Sequence, residues 1–303
     1  MMIQRIRTFC IALLFLGSQF WTCCQADLVV FGDSLSDEGN FYLASGGLLP
    51  PSPLYFNGRF SNGPVWTERL ANAMNEPIPL PSLIGGTNYA FNGARASGAS
   101  PYGTPDLVTQ VDTYLLANGG DADRDDTFVI WAGANDIFYG SASGEVNFIP
   151  EAVQAISGAI RDLYDAGARN IVVLDLPLLG QTPFFNTVPA ASSALNAATT
   201  AFNSLLSAQL QSLRRDLRRI RIADVKVSQL FQAVTRTPRL FGLRNVVDSS
   251  TLFNPVTGLG FAIVPNVDPN RYLFWDSIHP TAQGHKIIAT YAFIDIKIHC
   301  WRR

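Results

Sequence analysis

The sequence predicts an α/β domain built on a mainly parallel sheet, and three observations lead to this prediction. Short, almost uninterrupted apolar runs recur along the chain, and segments with apolar residues at helical spacing lie between them. Runs of this kind are typical of strands buried on both faces, as in parallel sheets. No linker or charge run divides the chain, so we expect one domain in which strands and helices alternate.

The elements follow from local composition. Four strands are predicted at residues 28–31, 127–132, 170–175 and 220–225. Two helices are predicted at 151–167, where Gly167 is a candidate C-cap, and at 192–217. Residues 44–105 are rich in Gly, Ser, Asn and Pro, which predicts long loops, and long loops in compact domains are often functional.

Bulk composition excludes some classes of partner. The chain has 303 residues, of which 48% are hydrophobic and 15% charged, and its formal net charge is −2. This balance gives no reason to expect nucleic acid as a partner. One basic cluster lies near the end of the second predicted helix, where the helix dipole favours cations. Peripheral contact with an anionic lipid surface is the alternative interpretation of this cluster, which comprises Arg214, Arg215, Arg218, Arg219 and Arg221.

The first 26 residues have the pattern of a secretory signal peptide. Arg5 and Arg7 precede an apolar stretch at 9–20, and Cys24 and Ala26 place small residues before a cleavage site. We therefore expect cleavage after Ala26 and a secreted or periplasmic protein, with an uncleaved N-terminal anchor as the alternative. Cleavage would leave Cys300 as the single cysteine, so no internal disulfide is expected.

A serine follows the first predicted strand. Ser34 comes directly after the turn residues Gly32 and Asp33, at the carboxyl end of a buried strand, where sites of open α/β sheets lie. A helix N-terminus beside Ser34 would favour negative charge there, as a nucleophilic serine requires. An Asp-Ser pair at this position is also a common turn and N-cap.

A base and its orienting acid are predicted in one short segment. Histidine occurs only at His279, His285 and His299, and only His279 has an acid in a tight loop beside it, Asp276. This pair suits a base that activates a serine. His285 and His299 are expected to be structural. Two further loops, at 88–94 and 133–136, offer donors for an oxyanion, although both are also ordinary loop sequences.

Four separated blocks of the chain resemble the SGNH hydrolases of the GDSL lipase/esterase family, in its secreted lipase-like branch. They are 31–37, 88–94, 133–136 and 276–281, and a stretch at 57–66 also resembles this branch. The resemblance implies a flavodoxin-like three-layer α/β/α sandwich over residues 27–303 and an exported serine esterase or lipase that needs no cofactor or metal. It implies Ser34 as nucleophile, His279 as general base and acid, Asp276 as its orienting acid, and an oxyanion hole from Ser34 N–H, Gly93 N–H and the Asn135 side chain.

The chain departs from the family pattern at three places. Asn92 stands where the family usually has the first of two glycines, which is expected to alter the turn or narrow the pocket. The region 245–250 lacks a cysteine that this branch often carries, and the tail 294–303 has no assignment. Other hydrolase classes are excluded, because the chain has no Gly-x-Ser-x-Gly, no Ser-x-x-Lys and no clustered histidines for zinc.

The substrate stays open at the level of sequence. We expect a small-molecule or lipid ester, with an acetylesterase acting on acetylated carbohydrate as the alternative. A non-catalytic surface-binding protein of the same fold is the rival from another class. The loops at 41–105 and 180–275 contain aromatic residues that favour acyl chains, unless they are ordinary core. They are Phe41, Tyr42, Tyr55, Phe56, Trp66, Phe184 and Phe185.

Overall fold

The computed structural model describes residues 26–252 and 262–299. Its centre is a parallel four-stranded sheet whose strands stand side by side in chain order. Nearly every residue of the first three strands is fully buried, as expected for strands covered on both faces. The strands are β1 (Leu28–Gly32), β2 (Thr127–Trp131), β3 (Asn170–Leu174) and β4 (Arg221–Val225).

An irregular segment extends the sheet beyond β1. Val30 N–H donates to Thr87 O at 2.9 Å, and Tyr89 N–H donates to Val30 O at 2.7 Å. Phe91 N–H then donates to Gly32 O at 3.1 Å, so residues 87–91 run alongside β1. With this segment as an edge, the strand order becomes that of a flavodoxin-like sheet. The segment also carries the chain towards Gly93 at the same end of the sheet as Ser34.

Helices cover both faces of the sheet, which gives three layers. On one face α3, α5 and α6 pack against one another, and on the other α2 packs along α8. The helices are α1 (Asn40–Ala44), α2 (Trp66–Met74), α3 (Leu107–Ala117), α4 (Ala134–Ser143), α5 (Phe148–Asp165), α6 (Pro189–Asp216), α7 (Val227–Arg236) and α8 (Ala282–His299).

A small second sheet stands beside the main one. Its strands are β5 (Asn245–Ser249) and β6 (Tyr272–Phe274), which pair in parallel with an irregular register. Ser250 N–H and Thr251 N–H donate to the carbonyls of Phe274 and Trp275 at 3.0 and 2.9 Å. These contacts fix the chain immediately before residues 276–279, so this sheet is the support for the predicted acid and base.

The predicted elements match the structure, with shifts at their ends. Each of the two long helices begins three residues before its predicted start, and the strands end within one residue of prediction. The helix at Trp66–Met74 lies inside the region predicted to be loops. The prediction was wrong there because Gly, Pro and Asn flank the helix and hide its short apolar face. Its first turn is held by the Glu68 carboxylate, which accepts from Val65 N–H at 2.7 Å.

The basic cluster is arranged as a helix end. Arg214 and Arg215 lie in the last turn of α6, and the Arg214 guanidinium donates to Ile222 O at 3.0 Å. Arg161 pairs with Asp216, the last residue of the same helix, at 3.3 Å. These contacts agree with the dipole interpretation.

Several predictions fall at the limits of the described chain. The expected signal peptide, except for Ala26, and Cys300 lie outside the described residues. Of the unassigned tail, residues 294–299 continue α8, and Ile296 is buried against the core. Within the described part of the chain, no helix has the length and apolar character needed to cross a membrane.

Candidate active site

Ser34 lies in a tight turn just past the end of β1. Asp33 holds this turn, because its carbonyl accepts from Ser36 N–H and Asp37 N–H, both at 3.0 Å. Its carboxylate also accepts from Leu35 N–H at 3.0 Å. The next helix begins only at Asn40, so the expectation of a helix N-terminus directly beside Ser34 was wrong. The reason is that hydrogen bonds to Asp33 and Asp37 stabilise a turn here first.

Ser34, His279 and Asp276 form a continuous chain of hydrogen bonds. The Oγ of Ser34 lies 2.9 Å from Nε2 of His279, and Nδ1 of His279 lies 2.8 Å from Oδ2 of Asp276. All three side chains are buried, and Ser34 is 8% exposed. A base that contacts both a serine hydroxyl and a buried carboxylate is able to take the serine proton while an acyl group is transferred.

The Asp276 carboxylate is fixed from both sides. Its Oδ1 accepts from Ile278 N–H at 2.9 Å and from His279 N–H at 2.7 Å. Its Oδ2, besides meeting the imidazole, accepts from the buried hydroxyl of Tyr55 at 2.5 Å. The ring of Phe60 packs on the imidazole, with centroids 5.0 Å apart. The imidazole therefore has one orientation, with Nε2 directed at Ser34.

Asn135 lies in the first turn of α4, beside Ser34. Gly133 precedes it with φ of +115°, and a Cβ there would stand 2.4 Å from the Phe202 ring, so this approach requires glycine. The Asn135 amide donates to Ala94 O at 2.9 Å and lies 3.4 Å from the Asp33 carboxylate. One amide N–H of Asn135 is thus firmly bonded to Ala94 O. The second makes only the long contact to Asp33, whose pKa is raised to about 7 by burial.

The Asn92–Gly93 turn faces the serine from the sheet edge. Gly93 has φ of +69°, and a Cβ on it would lie 2.4 Å from the Tyr102 ring, whereas Asn92 has no such requirement. Asn92 N–H donates to the buried Asp37 carboxylate at 3.0 Å, which ties this turn to the Ser34 turn. In the described chain, no hydrogen bond uses the N–H of Ser34 or of Gly93.

An apolar cleft of about 680 Å³ opens at Ser34. No Asp, Glu, Lys or Arg lines it, and His279 is its one ionisable group besides tyrosines. A much smaller apolar pocket of about 60 Å³ meets the serine from the other side, between Leu176–Leu179 and Phe231. Clefts of this size and character bind apolar ligands. The cleft walls include Phe41, Leu49, Pro50, Phe60, Tyr102, Phe138, Phe184, Phe185, Ala191, Leu195 and Ile278.

Comparison with known proteins assigns the chain to a family. The profile of the GDSL-like Lipase/Acylhydrolase family matches residues 28–292. The chain belongs to this family. Membership confirms the predicted family and makes the chain one of a group of ester-hydrolysing enzymes. It also fits the three-layer α/β/α architecture described above.

Several named proteins are moderately similar to the chain. A phosphatidylcholine-sterol acyltransferase of Aeromonas hydrophila is 29% identical, over 86% of this chain and 87% of that protein. The thermolabile hemolysin of Vibrio parahaemolyticus is 28% identical, over 86% of this chain and 62% of the hemolysin. Esterase EstA of Pseudomonas aeruginosa is 30% identical, over 88% of this chain. The chain spans about half the length of EstA and of an uncharacterized Pseudomonas putida protein that is 30% identical to it.

Solved structures also resemble this GDSL family member. A catalytic mutant of Axe2, an acetylxylan esterase from Geobacillus stearothermophilus, superposes with a TM-score of 0.51. The alignment covers 89% of this chain and 94% of that one, at 12% identity. At this identity the likeness establishes the fold.

The structure brings together every site residue that the sequence predicted in this GDSL protein. His285, by contrast, is buried in α8, and its Nδ1 lies 3.3 Å from Trp66 N–H. Burial lowers its pKa to about 3, so it is neutral. The side chain of His299 lies outside the described part. In the described residues no cluster of His, Cys, Asp or Glu is arranged to hold a metal ion.

Two polar residues of the site are not predicted from the sequence. There, Tyr55 is only an aromatic loop residue, and Asp37 is only part of the block 31–37. The Tyr55 hydroxyl and the Asp37 carboxylate each make contacts across long stretches of chain, to Asp276 and Asn92. Such contacts leave no periodic signal in the sequence. The sequence offered one hint, since both are polar groups within apolar or turn segments.

Five of the seven predicted aromatic loop residues divide into two groups, whereas Tyr42 and Phe56 neither line the cleft nor are buried. Phe41, Phe184 and Phe185 line the cleft. Tyr55 and Trp66 are fully buried in the core instead. The acyl-chain interpretation therefore fits the first group, and the core interpretation fits the second.

Proposed function

We propose that this protein is a serine esterase that hydrolyses carboxylic esters through an acyl-enzyme on Ser34. The observation that carries the proposal is the hydrogen-bonded chain from Ser34 Oγ through His279 to Asp276. His279 Nε2 takes the Ser34 proton as Oγ attacks the ester carbonyl, and then gives it to the leaving alcohol. The ester C–O bond breaks, and water later attacks the acyl-enzyme with the same histidine as base. The Asp276 carboxylate orients the imidazole and stabilises the imidazolium that forms.

The oxyanion of the tetrahedral intermediate needs preorganised donors. The N–H groups of Ser34 and Gly93 are free of protein acceptors among the described residues, which supports their assignment to this role. Asn135 supplies the third donor through the amide N–H that now has only the long contact to Asp33. Its other N–H stays on Ala94 O and keeps the side chain in place.

Replacing Asn135 with alanine tests this third donor. We expect kcat to fall by on the order of 10²–10³, with KM changed little, because the donor acts on charge that develops in the transition state. Steady-state kinetics on a soluble p-nitrophenyl ester give both constants. Thr199→Ala, a buried polar deletion outside the cleft, is the control for a general loss of packing. A wild-type kcat in Asn135→Ala would show that Asn135 is not a donor of the oxyanion hole.

The cleft supports a lipid ester as the substrate class. A charge-free apolar cleft of about 680 Å³ gains free energy from each methylene that it removes from water. The names of the Aeromonas acyltransferase and the Vibrio hemolysin are consistent with substrates in lipid. We therefore propose that the acyl chain lies in this cleft, with its carbonyl at Ser34.

A series of p-nitrophenyl esters from acetate to palmitate tests the acyl site. We expect kcat/KM to rise with acyl-chain length until the cleft is filled, because each methylene group buried in the cleft contributes about 0.8 kcal/mol to binding. Ala191→Phe, which narrows the cleft wall, should lower the values for long chains several-fold and leave acetate unchanged. Ala197→Phe, exposed on the same helix outside the cleft, is the matched control.

Two further substrates make this series decisive. A phospholipid dispersion should be hydrolysed, whereas acetylated xylan should be a poor substrate. A clear preference for acetylated xylan, with no gain from longer acyl chains, would replace the lipid proposal with an acetylesterase. Activity on none of these esters would favour a non-catalytic binding protein of the same fold.

Export is part of the proposal. The family match begins at Leu28, two residues after the end of the predicted signal peptide. A relative in Salmonella typhimurium is named as a secreted effector protein, at 26% identity over 86% of this chain. These two observations support a secreted or periplasmic enzyme.

A further inference from the structure

Exposed leucine and isoleucine side chains lie on two segments next to the cleft: residues 43–49, of which Leu49 lines the cleft, and residues 80–84, which bond to Asn40 at the start of α1. We refer to six of them as the apolar rim. Leu48 is 72% exposed, and the other five are between 41% and 61% exposed. Single exposed leucines are normal on protein surfaces, but a group of them at one place marks an interaction site. The apolar rim consists of Leu43, Leu48, Leu49, Leu80, Leu83 and Ile84.

The two segments that form the apolar rim are held against each other. The side chain of Asn40, at the start of α1, accepts from Leu83 N–H at 3.2 Å and from Ser82 Oγ at 3.3 Å. Ser45 Oγ accepts from Leu49 N–H at 2.9 Å, which fixes the chain that follows α1. The rim side chains are therefore presented by bonded backbone.

The apolar rim is continuous with the cleft. Leu49 belongs to both, and Pro50 and Pro51 lead from it into the cleft wall. Tyr102, half exposed at the mouth, packs edge-on against Phe41 inside, with centroids 5.9 Å apart. Val188, also half exposed, stands just before the α6 residues of the facing wall. The part of the rim around Leu49 is thus joined to Ser34 by the apolar residues of the cleft wall.

Charge is missing from this part of the chain. Residues 39–58 and 77–94, which carry the rim, contain no Asp, Glu, Lys, Arg or His. The same holds for residues 176–213, which supply the facing wall. The charged neighbours Glu38 and Arg59 are turned inward, since Glu38 is buried and Arg59 pairs with Glu68 at 2.7 Å. These three segments offer no charged side chain that could attract a charged partner.

We infer that the apolar rim is a docking surface for an uncharged or zwitterionic lipid layer, such as phosphatidylcholine. The rim side chains enter the layer and place the cleft mouth against it. Binding then depends on apolar burial and hardly on salt. This inference rests on the proposed lipid ester substrate, because it names the physical state in which that substrate is met.

Vesicle binding tests the inference without any need for catalysis. The full-length chain carrying Ser34→Ala is mixed with phosphatidylcholine vesicles and sedimented. We expect Leu48→Ser with Leu83→Ser to lower the lipid partition coefficient by about tenfold, because two inserted leucines are lost. Leu116→Ser with Leu240→Ser is the matched control and should bind like the parent. These two control leucines are 85% and 82% exposed and lie on α3 and after α7, outside the cleft lining.

Three outcomes would overturn the inference. One is equal binding of the rim variant and its control. Another is binding to anionic vesicles only, lost at about 0.5 M salt because salt screens charged contacts. That result would point to the arginine cluster instead. The third is no vesicle binding, together with a dimer that the rim substitutions dissociate, which would make the rim a contact between two copies of this chain.

Kinetics separate this inference from the proposed function. With Ser34 present, the rim variant should hydrolyse dissolved p-nitrophenyl butyrate at the parent rate and dispersed phosphatidylcholine several-fold more slowly. Equal rates on dispersed lipid would count against docking. Loss of all ester hydrolysis in the parent, with vesicle binding intact, would sink the proposed function and leave the docking surface standing.

Discussion

Ser34→Ala is expected to lower kcat on p-nitrophenyl esters by on the order of 10⁶, the largest effect that any single substitution should have here. Without Oγ no acyl-enzyme forms, and the remaining donors of the oxyanion hole only assist direct attack by water. Residual hydrolysis is therefore expected at about 10³–10⁴ above the rate in water. Stopped assays with purified protein, run long enough to detect this residual hydrolysis, measure the loss of kcat.

The double variant Ser34→Ala with His279→Ala sharpens the test. Because the two residues act as one unit, the second substitution should add almost nothing to the first. Ser34 Oγ takes part in one hydrogen bond among the described residues, to His279, so the alanine variant should unfold at nearly the parent temperature. Losses that add in the double variant would mean that histidine and serine act separately. Substantial turnover by folded Ser34→Ala would end the assignment of Ser34 as nucleophile.

The core of the fold could be predicted because the residue pattern that specifies its strands and helices is local. Strand β3, for example, is buried throughout and is apolar from its second residue to its last, and α5 shows its buried stripe at helical spacing. The edge segment at 87–91 had no such signal. It bonds to β1 through a few backbone groups only, and side-chain pattern does not report backbone pairing between distant segments. The helix Trp66–Met74 was hidden for a different reason, since its start depends on one carboxylate, Glu68.

The candidate site was predictable to the extent that its residues stand at strand ends. Ser34 and Asn135 follow β1 and β2 directly, and parallel strands bring their carboxyl ends to one edge. The contact between Tyr55 and Asp276 spans 221 residues and depends on how the loop at 49–58 folds over the core. Nothing in the spacing of the sequence encodes that path. Positions just after strand ends were therefore predicted, and the groups that fix their geometry from distant loops were found in the structure alone.

Asp276→Asn is expected to lower kcat by about 10⁴, although the shape of the side chain hardly changes. Two backbone donors, Ile278 N–H and His279 N–H, require an acceptor at the Oδ1 position. The asparagine oxygen must therefore occupy Oδ1, and its NH₂ group faces Nδ1 of His279. Nδ1 then becomes the acceptor, so Nε2 carries the proton and is unable to take one from Ser34. The rate of Ser34 labelling by a fluorophosphonate should fall with kcat.

Tyr55→Phe is the control that separates this tautomer effect from mere disturbance of the loop. It removes a second hydrogen bond from the same Oδ2 atom of Asp276 and leaves the carboxylate and the imidazole tautomer as they are. A neutral hydroxyl bonded to a carboxylate contributes about 1.5–3 kcal/mol, most of it to stability, so we expect kcat to fall by no more than about tenfold. Equal losses in Tyr55→Phe and Asp276→Asn would mean that Asp276 acts by holding the loop, because only the asparagine changes which nitrogen carries the proton.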